Sequence, residues 1–342
     1  MEKPPFFSCV MPSYNSEKYI VRAVESMLRQ SFEDFELLIV DDSSVDKSRE
    51  IIRNFEAKDG RVKGIYPTEN KGAGAARNVA LKEAKGEFAV FLDSDDFMDA
   101  DFLASAYKAI TDNPDADGVK FGGIEEYVEN DNVVYKKVCL PKKGKYIGNR
   151  EIFSAAVLME ETPLFGYPWN GAYRMKTIRE HGVAFNEHYK MNEDFLFNTA
   201  FFSAANVMIT VDKAFCHYQK RAGSLSTSAN KDYLKHHIIK IKSFLEAFEG
   251  NPPKELLPKI YWQYFRIILS ALEREEESTR KELIDKVKAS ELYKGFLQAD
   301  FSKETLKRRL LIGGFKLAPL MLSKLVSYIR KKSPVFFAKV KR

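Results

Sequence analysis

Short apolar runs alternate with amphipathic stripes through the first hundred positions. Phe6–Met11, Phe35–Val40, Val62–Tyr66 and Phe88–Leu92 are strand-length and largely apolar, whereas Glu17–Gln30 sets Tyr19, Ile20, Ala23, Val24, Met27 and Leu28 on one helical face. Asp46–Phe55, with Asp46 as its N-cap, and Ala73–Ala84 read as further helices. Strand and helix units repeated at this interval predict a mostly parallel sheet with helices on both faces. Ligands of such sheets bind beyond the carboxyl ends of the strands.

Past residue 112 the pattern is mixed. Asp117–Phe121, Val133–Cys139, Val207–Thr210 and Ala214–Gln219 read as strands, and Arg150–Met159 and Met175–Glu180 as helices. Met191–Phe197 opens another helix, with acids in its first turn where they suit the dipole. Arg221–Ser228 is a polar loop. From Tyr233 onward the pattern is helical, broken at Asn251-Pro252-Pro253 and near Glu277-Ser278. No internal repeat is present.

The four early strands end in chemistry-bearing residues. The first gives Pro12-Ser13-Tyr14-Asn15, the second Asp41-Asp42-Ser43-Ser44, the third Asn70-Lys71-Gly72 leading to Ala76-Arg77-Asn78, and the fourth Asp93-Ser94-Asp95-Asp96. By itself the last stretch is either a hard-oxygen metal site or a solvated turn whose Asp side chains bond their own backbone. Taken together the four describe a nucleoside diphosphate site: a ring to stack a base, a carboxylate to accept from a base N–H, an arginine and a glycine-rich turn near phosphate, and paired Asp for a cation. A dinucleotide site of the G-x-G-x-x-G kind is disfavoured, because Pro-Ser-Tyr-Asn follows the first strand.

Composition adds three limits. Cys9, Cys139 and Cys216 are far apart and without C-x-x-C spacing, so neither a disulfide framework nor a thiolate metal site is indicated, and a reducing cytoplasm is expected. The N-terminus runs straight into a strand pattern, which argues against a cleaved signal peptide, and no run nears the roughly 20 apolar residues of a membrane span. The net charge of +6 is uneven: residues 303–342 carry twelve Lys or Arg against Glu304 alone, leaving the remainder mildly acidic.

These stretches resemble the inverting nucleotide-sugar glycosyltransferases of family two, of bacterial surface-polysaccharide type. The likeness rests on Pro12-Ser13-Tyr14-Asn15, Val40-Asp41-Asp42-Ser43-Ser44-Val45-Asp46, Asn70 through Asn78, Phe91-Leu92-Asp93-Ser94-Asp95-Asp96 and Asn192-Glu193-Asp194, five elements in order over about two-thirds of the chain. It implies a GT-A-type, Rossmann-like sheet with flanking helices plus a helical C-terminal region. Residues 1–112 would bind the nucleotide sugar, 113–230 the acceptor, and 231–342 would form a helical extension. Within the second region, the segment from about residue 140 to 190 would govern acceptor choice. Pro12 and Tyr14 would line the base pocket with Asn15 and Gly72 beside it, and Asp42 would accept from the base, which suits uracil or thymine. Arg77 would stand near base or diphosphate, unless it pairs with a neighbouring acid. Asp93 and Ser94 would approach the ribose, and Asp95, with Asp93, would hold Mn²⁺ or Mg²⁺. Asp41 and Asp96 would shape their turns. Asp194 would be the general base, the alternative being that Glu193 and Asp194 are only first-turn acids. A catalytically idle relative serving a glycan assembly complex is the competing function.

Two features depart from the family pattern. Relatives carry a lysine where this chain has Gly171, in Trp169-Asn170-Gly171-Ala172-Tyr173-Arg174, which leaves the acceptor side open. His217 fits a packed, hydrogen-bonded histidine better than a third metal ligand. Arg221 and Ser224 resemble a loop that closes over the donor. In the tail, Leu310-Leu311-Ile312, Phe315, Leu320-Met321-Leu322 and Phe336-Phe337 interleave with the basic residues. That pattern suits an interfacial helix on an anionic membrane face at the inner side of the cell membrane, or packing on the catalytic body or a second copy, and not nucleic acid. The acceptor would be a glycan or a lipid-linked oligosaccharide, and self-association is left open.

Overall fold

A computed structural model gives the structure of the protein and describes residues 3–129, 132–189, 191–221 and 233–332, the side chains of 326, 327 and 329–332 excepted. The chain forms two compact units, Met1–Thr227 and Ser228–Arg342.

The first unit opens with β1 (Phe7–Ser13), α1 (Ile20–Leu28), β2 (Phe35–Asp41), α2 (Ser48–Glu56), β3 (Val62–Ile65), α3 (Ala73–Glu83) and β4 (Phe88–Phe91). It continues through β5 (Phe97–Met98), α4 (Phe102–Thr111), β6 (Gly118–Glu129), β7 (Asn132–Cys139), β8 (Gly144–Ile147) and α5 (Gly148–Met159). Then follow β9 (Gly171–Arg174), α6 (Met175–Glu180), α7 (Glu193–Ala204) and β10 (Val207–Arg221). Among the described residues these strands make one sheet in the order β3-β2-β1-β4-β9-β6-β10-β5, with β7 beside β6 and β8 beside β10.

The strands β3, β2, β1 and β4 pair in parallel, as their alternation with helices predicts. Beyond them the sheet is mixed: β9 inserts antiparallel between β4 and β6, while β10 runs parallel to β6. Four-residue strands such as β9 are too short to show a period of their own, and only their neighbours define them. The two short strands expected at 207–219 are one fifteen-residue strand, β10, whose register shifts between Thr210 and Ala214 and again before Cys216. A bulge of this kind bends a strand without ending it.

Inward-facing Phe7, Cys9, Met11, Leu37, Ile39, Phe88 and Val90 pack against Ile20, Ala23, Val24 and Met27 of α1 and Phe102, Leu103 and Ala106 of α4. On the opposite face Phe91 meets Tyr173, Phe185 and Phe197 edge to face. Each such ring, fully buried, contributes about 1.5–3 kcal/mol. Strand order changes direction between β1 and β4, so the crevice that α/β sheets use for ligands opens at the C-terminal ends of those two strands.

The second unit contains α8 (Tyr233–Ala247), α9 (Leu257–Arg274), α10 (Arg280–Lys288), α11 (Glu291–Gln298), α12 (Leu306–Leu317) and α13 (Pro319–Lys332). Its core gathers Trp262, Phe265, Phe296 and Phe315. One face of α12 thus packs inward through Ile312 and Phe315, while Leu306, Leu310 and Leu317 stay exposed, as do Met321, Leu325 and Tyr328 of α13. Phe336-Phe337 and the last basic residues lie outside the described residues. No helix among the described residues is long and apolar enough to cross a membrane.

Candidate active site

Hydrogen bonds join all five motif stretches at one edge of the sheet. After β1, the Asn15 N–H donates to Ser44 Oγ (3.0 Å) and Asn15 Oδ1 accepts from the Val45 N–H (2.9 Å), which ties the first loop to the second. The second loop meets the third through Asp42, whose Oδ1 accepts from the Lys71 N–H (3.0 Å) and Oδ2 from the Gly72 N–H (2.7 Å). Gly72 takes φ +91° there, a backbone conformation side chains resist. The fourth loop returns to the first through a 2.7 Å contact between Ser94 Oγ and Ser16 Oγ. Pro12 lies buried within β1 opposite Val40 of β2, while Tyr14 just beyond it is 50% exposed, an aromatic face open to solvent.

Arg77 of α3 closes the assembly. Its guanidinium is buried, and it donates from Nη2 to Asp93 Oδ1 (2.5 Å) and from Nη1 to Asp194 Oδ1 (2.8 Å), with Glu193 3.9 Å away. The ring of Phe185 lies 5.1 Å from Arg77 Cζ. Asn78, next along α3, holds the segment that leads into α7: its amide accepts from the Phe185 N–H and donates to the Phe185 carbonyl and to Glu187. Asp194 therefore stands in the first turn of α7 with its position set by α3.

Charge within this cluster is strained by burial. Burial works against the Arg77 cation, yet Asp194, Asp93 and Glu193 outweigh it and hold the guanidinium above its ordinary value. Burial pushes the Asp194 carboxyl up, against the pull of Arg77 and with the push of Glu193 and Asp93. Asp95 is raised by burial and by Asp93, and Asp96 is raised well above its ordinary value by burial and by Asp95 and Asp93.

Asp95 and Asp93 are the side chains that could hold a divalent cation. The Asp95 carboxyl, raised by burial and by Asp93, would be relieved by one, and the hard oxygens of both acids are of the kind Mg²⁺ and Mn²⁺ take. Among the described residues no three His, Cys, Asp or Glu side chains converge as a cage. Two carboxylates alone would leave an ion positions for phosphate oxygens and water.

The remaining motif residues have defined partners. Both oxygens of Asp42 accept from backbone amides, so this carboxylate organises the 70–72 loop. Arg77 has both arms on carboxylates and sits almost wholly inside the protein, the pairing with neighbouring acids that was the alternative expectation for it. Asp41 is buried and paired with Arg49 at 2.9 Å. Asp96 Oδ1 accepts from the Gln219 N–H, anchoring its turn to β10. His217 is held between Glu126 and Asp99 and stacked on Phe97, the packed arrangement its neighbours in sequence suggested. Ser224 lies outside the described residues, and Arg221 bonds Gln219.

Two cationic residues escaped the reading of the sequence. Arg22 of α1 donates to the Asp95 carbonyl (2.8 Å) and to Gln219 Oε1 (3.0 Å), although its helical position resembles a solvent face. Lys120 of β6 is fully buried with Asp194 among the charges it feels. Its signal was a lone lysine inside the apolar run Val119-Lys120-Phe121.

Known proteins resemble this chain in sequence and in fold. Residues 8–162 match the family model for glycosyl transferase family 2. The poly(ribitol-phosphate) beta-N-acetylglucosaminyltransferase TarS of Staphylococcus aureus is 30% identical over 227 residues, covering 65% of this chain and 37% of TarS. The uncharacterized glycosyltransferase EpsJ of Bacillus subtilis is 25% identical over 239 residues, 69% of this chain and 67% of EpsJ. The chain thus spans about two-thirds of EpsJ and little more than a third of TarS. Residues 1–349 of TarS in complex with UDP-GlcNAc share the fold at a TM-score of 0.64 and 23% identity, covering 95% of this chain and 91% of that one. The mannosyltransferase PcManGT of Pyrobaculum calidifontis, in complex with GDP-Man and Mn²⁺, shares it at 0.54 and 16% identity, covering 95% and 88%. Residues 8–162 thus carry a domain that matches glycosyl transferase family 2, and the chain shares the GT-A fold of these solved structures.

Proposed function

We propose that this site transfers a glycosyl group from a nucleoside diphosphate sugar, a UDP-sugar, to a hydroxyl of a glycan or lipid-linked acceptor of the bacterial surface, with inversion. The observation that carries the reading is the Arg77 clasp, which puts the Asp194 carboxylate beside the Asp93-Ser94-Asp95 turn. In one displacement the acceptor oxygen bonds to the anomeric carbon, its proton passes to Asp194, and the bond to the diphosphate breaks, releasing the nucleoside diphosphate. A carboxyl raised by burial is a better proton acceptor than an ordinary one, and Arg77 keeps it oriented. Mn²⁺ or Mg²⁺ at Asp95 and Asp93 would supply positive charge against the charge growing on the leaving group. Tyr14, beside Pro12 and Asn15, offers its exposed face to the base, and Gly72 and Ser94 shape the loops on either side. The UDP-GlcNAc bound to TarS supports a uridine donor, and the Mn²⁺ of PcManGT supports the metal. The basic, leucine-bearing α12 and α13 would seat the enzyme on an anionic membrane surface near a lipid-linked acceptor.

The test is release of UDP from UDP-sugars in the presence of Mn²⁺, for the wild type and for Asp194→Asn. The variant is expected to lose roughly 10²–10⁴-fold in turnover while still binding UDP. Equal turnover in the two proteins would remove Asp194 as the base.

A further inference from the structure

Lys120 is fully buried, a position a lysine takes only when its amine finds partners. Its Nζ donates to the Tyr167 carbonyl at 2.5 Å and to the Tyr173 hydroxyl at 3.1 Å. Room for its stem comes from the neighbouring strand. Lys120 pairs with Gly171 across β6 and β9, and a Cβ at 171 would stand 2.9 Å from Lys120 Cδ and 2.7 Å from the Val119 carbonyl oxygen. Any side chain at 171 would displace the lysine.

The bonds continue from Tyr173 to the helix that bears Asp194. The Tyr173 hydroxyl is 2.8 Å from Asn198 Oδ1 and 3.1 Å from the Pro168 carbonyl, and the nearer acceptor takes its single proton. Asn198 is itself fully buried and donates from Nδ2 to the Phe165 carbonyl at 2.7 Å. It lies four positions after Asp194 on α7, on the same helical face.

We propose that Lys120 is a positioning residue for sugar transfer, holding the first turn of α7, and so the Asp194 carboxylate, through a Lys120–Tyr173–Asn198 relay. The proposal rests on Asp194 acting as the base. Lys120 has no exposed surface and does not touch substrate. A second effect follows from charge. Asp194 faces Arg77 from α3, Asp93 from the loop after β4, Glu193 from its own helix and Lys120 from β6. Lys120 in turn faces Cys216 of β10, Asp194, and Glu160 at the end of α5. Burial pushes its amine down to about 7, with Cys216, Asp194 and Glu160 pulling it back up. Coupling between two sites is reciprocal, so the Lys120 cation favours the ionised form of Asp194.

Two variants of the full chain separate a positioning role from bulk stability, with folding checked by melting and activity read as UDP release with Mn²⁺. Lys120→Met is expected to lower kcat about tenfold or more with the donor KM within about twofold. Tyr173→Phe breaks the relay at its middle, so kcat should fall about tenfold with the donor KM again within about twofold. It carries the test alone if Lys120→Met does not fold. Folded variants with wild-type kcat would overturn the proposal. If Asp194→Asn is inactive in the same assay, that outcome removes only the positioning role; if Asp194→Asn is as active as the wild type, the base assignment falls and the relay's purpose with it.

Discussion

Arg77 and Asp194, 117 positions apart in the chain, form a 2.8 Å ion pair in which the cation is buried and the carboxylate keeps 22% of its side-chain surface. The other arm of the same guanidinium holds Asp93. Two acids that would repel one another are thus kept side by side, each still partly open to the crevice.

Removing that cation leaves Asp93, Glu193 and Asp194 mutually unscreened. Arg77→Met should cost about 2–4 kcal/mol, less than a wholly buried pair because the carboxylates retain some water. Arg77→Lys should rescue little, since one ammonium cannot reproduce a fork that meets two carboxylates. Urea unfolding measures both. A loss under about 0.5 kcal/mol for Arg77→Met would show that the pair contributes nothing.

The pH dependence of transfer follows from the direction of the Asp194 shift. Burial raises this carboxyl to about 8, and a base works only when ionised, so kcat should climb with pH up to that region and level off beyond it. An acidic limb at the ordinary carboxylate value, near about 4, would contradict this. Stability runs the other way. The native state holds this proton more tightly than the unfolded chain, so the contribution of Asp194 is largest below the ordinary value and declines as pH rises toward the raised one.

Crowding of Asp95 against Asp93 would make the binding of the proposed cation visible in melting curves. Without added metal, Asp95→Asn should raise Tm by about 2–4 °C, because it removes a like charge. With Mn²⁺ and UDP together the wild type should gain more than with either alone, and the variant should lose that excess. A wild type in which the two additions are merely additive would disfavour a cation shared with the diphosphate.

Contact with a lipid surface is best tested by substitution and not by deletion. Ile312 and Phe315 are core residues of the second unit, so cutting the tail away would open it, whereas Leu310 and Met321 are 67% and 74% exposed. Leu310→Asp with Met321→Asp should leave stability within about 0.5 kcal/mol and weaken binding to phosphatidylglycerol vesicles about tenfold or more. Undiminished flotation of the double variant would end the membrane reading.

The alternation of apolar strands and striped helices was legible up to β4, and with it the polar stretches at the strand ends. Local periodicity carries that information, because one buried face repeats every second or every third to fourth residue. The short pieces β5, β8 and β9 were not legible, nor was the continuity of β10 through its bulges. Each is defined by the strand it lies against.

The same division runs through the site. The sequence placed Tyr14 and Asp95 at strand ends, and resemblance to a family, carried by short local motifs, pointed to Asp194 as chemistry. Only tertiary packing decided that Asp42 turns its oxygens to the Lys71 and Gly72 amides, that Arg77 spans Asp93 and Asp194, and that the lysine inside β6 lies opposite a glycine of β9. Those partners are fixed by strand register and by which buried charge finds which counter-charge, and both arise from contacts between segments whose separation along the chain leaves no periodic trace.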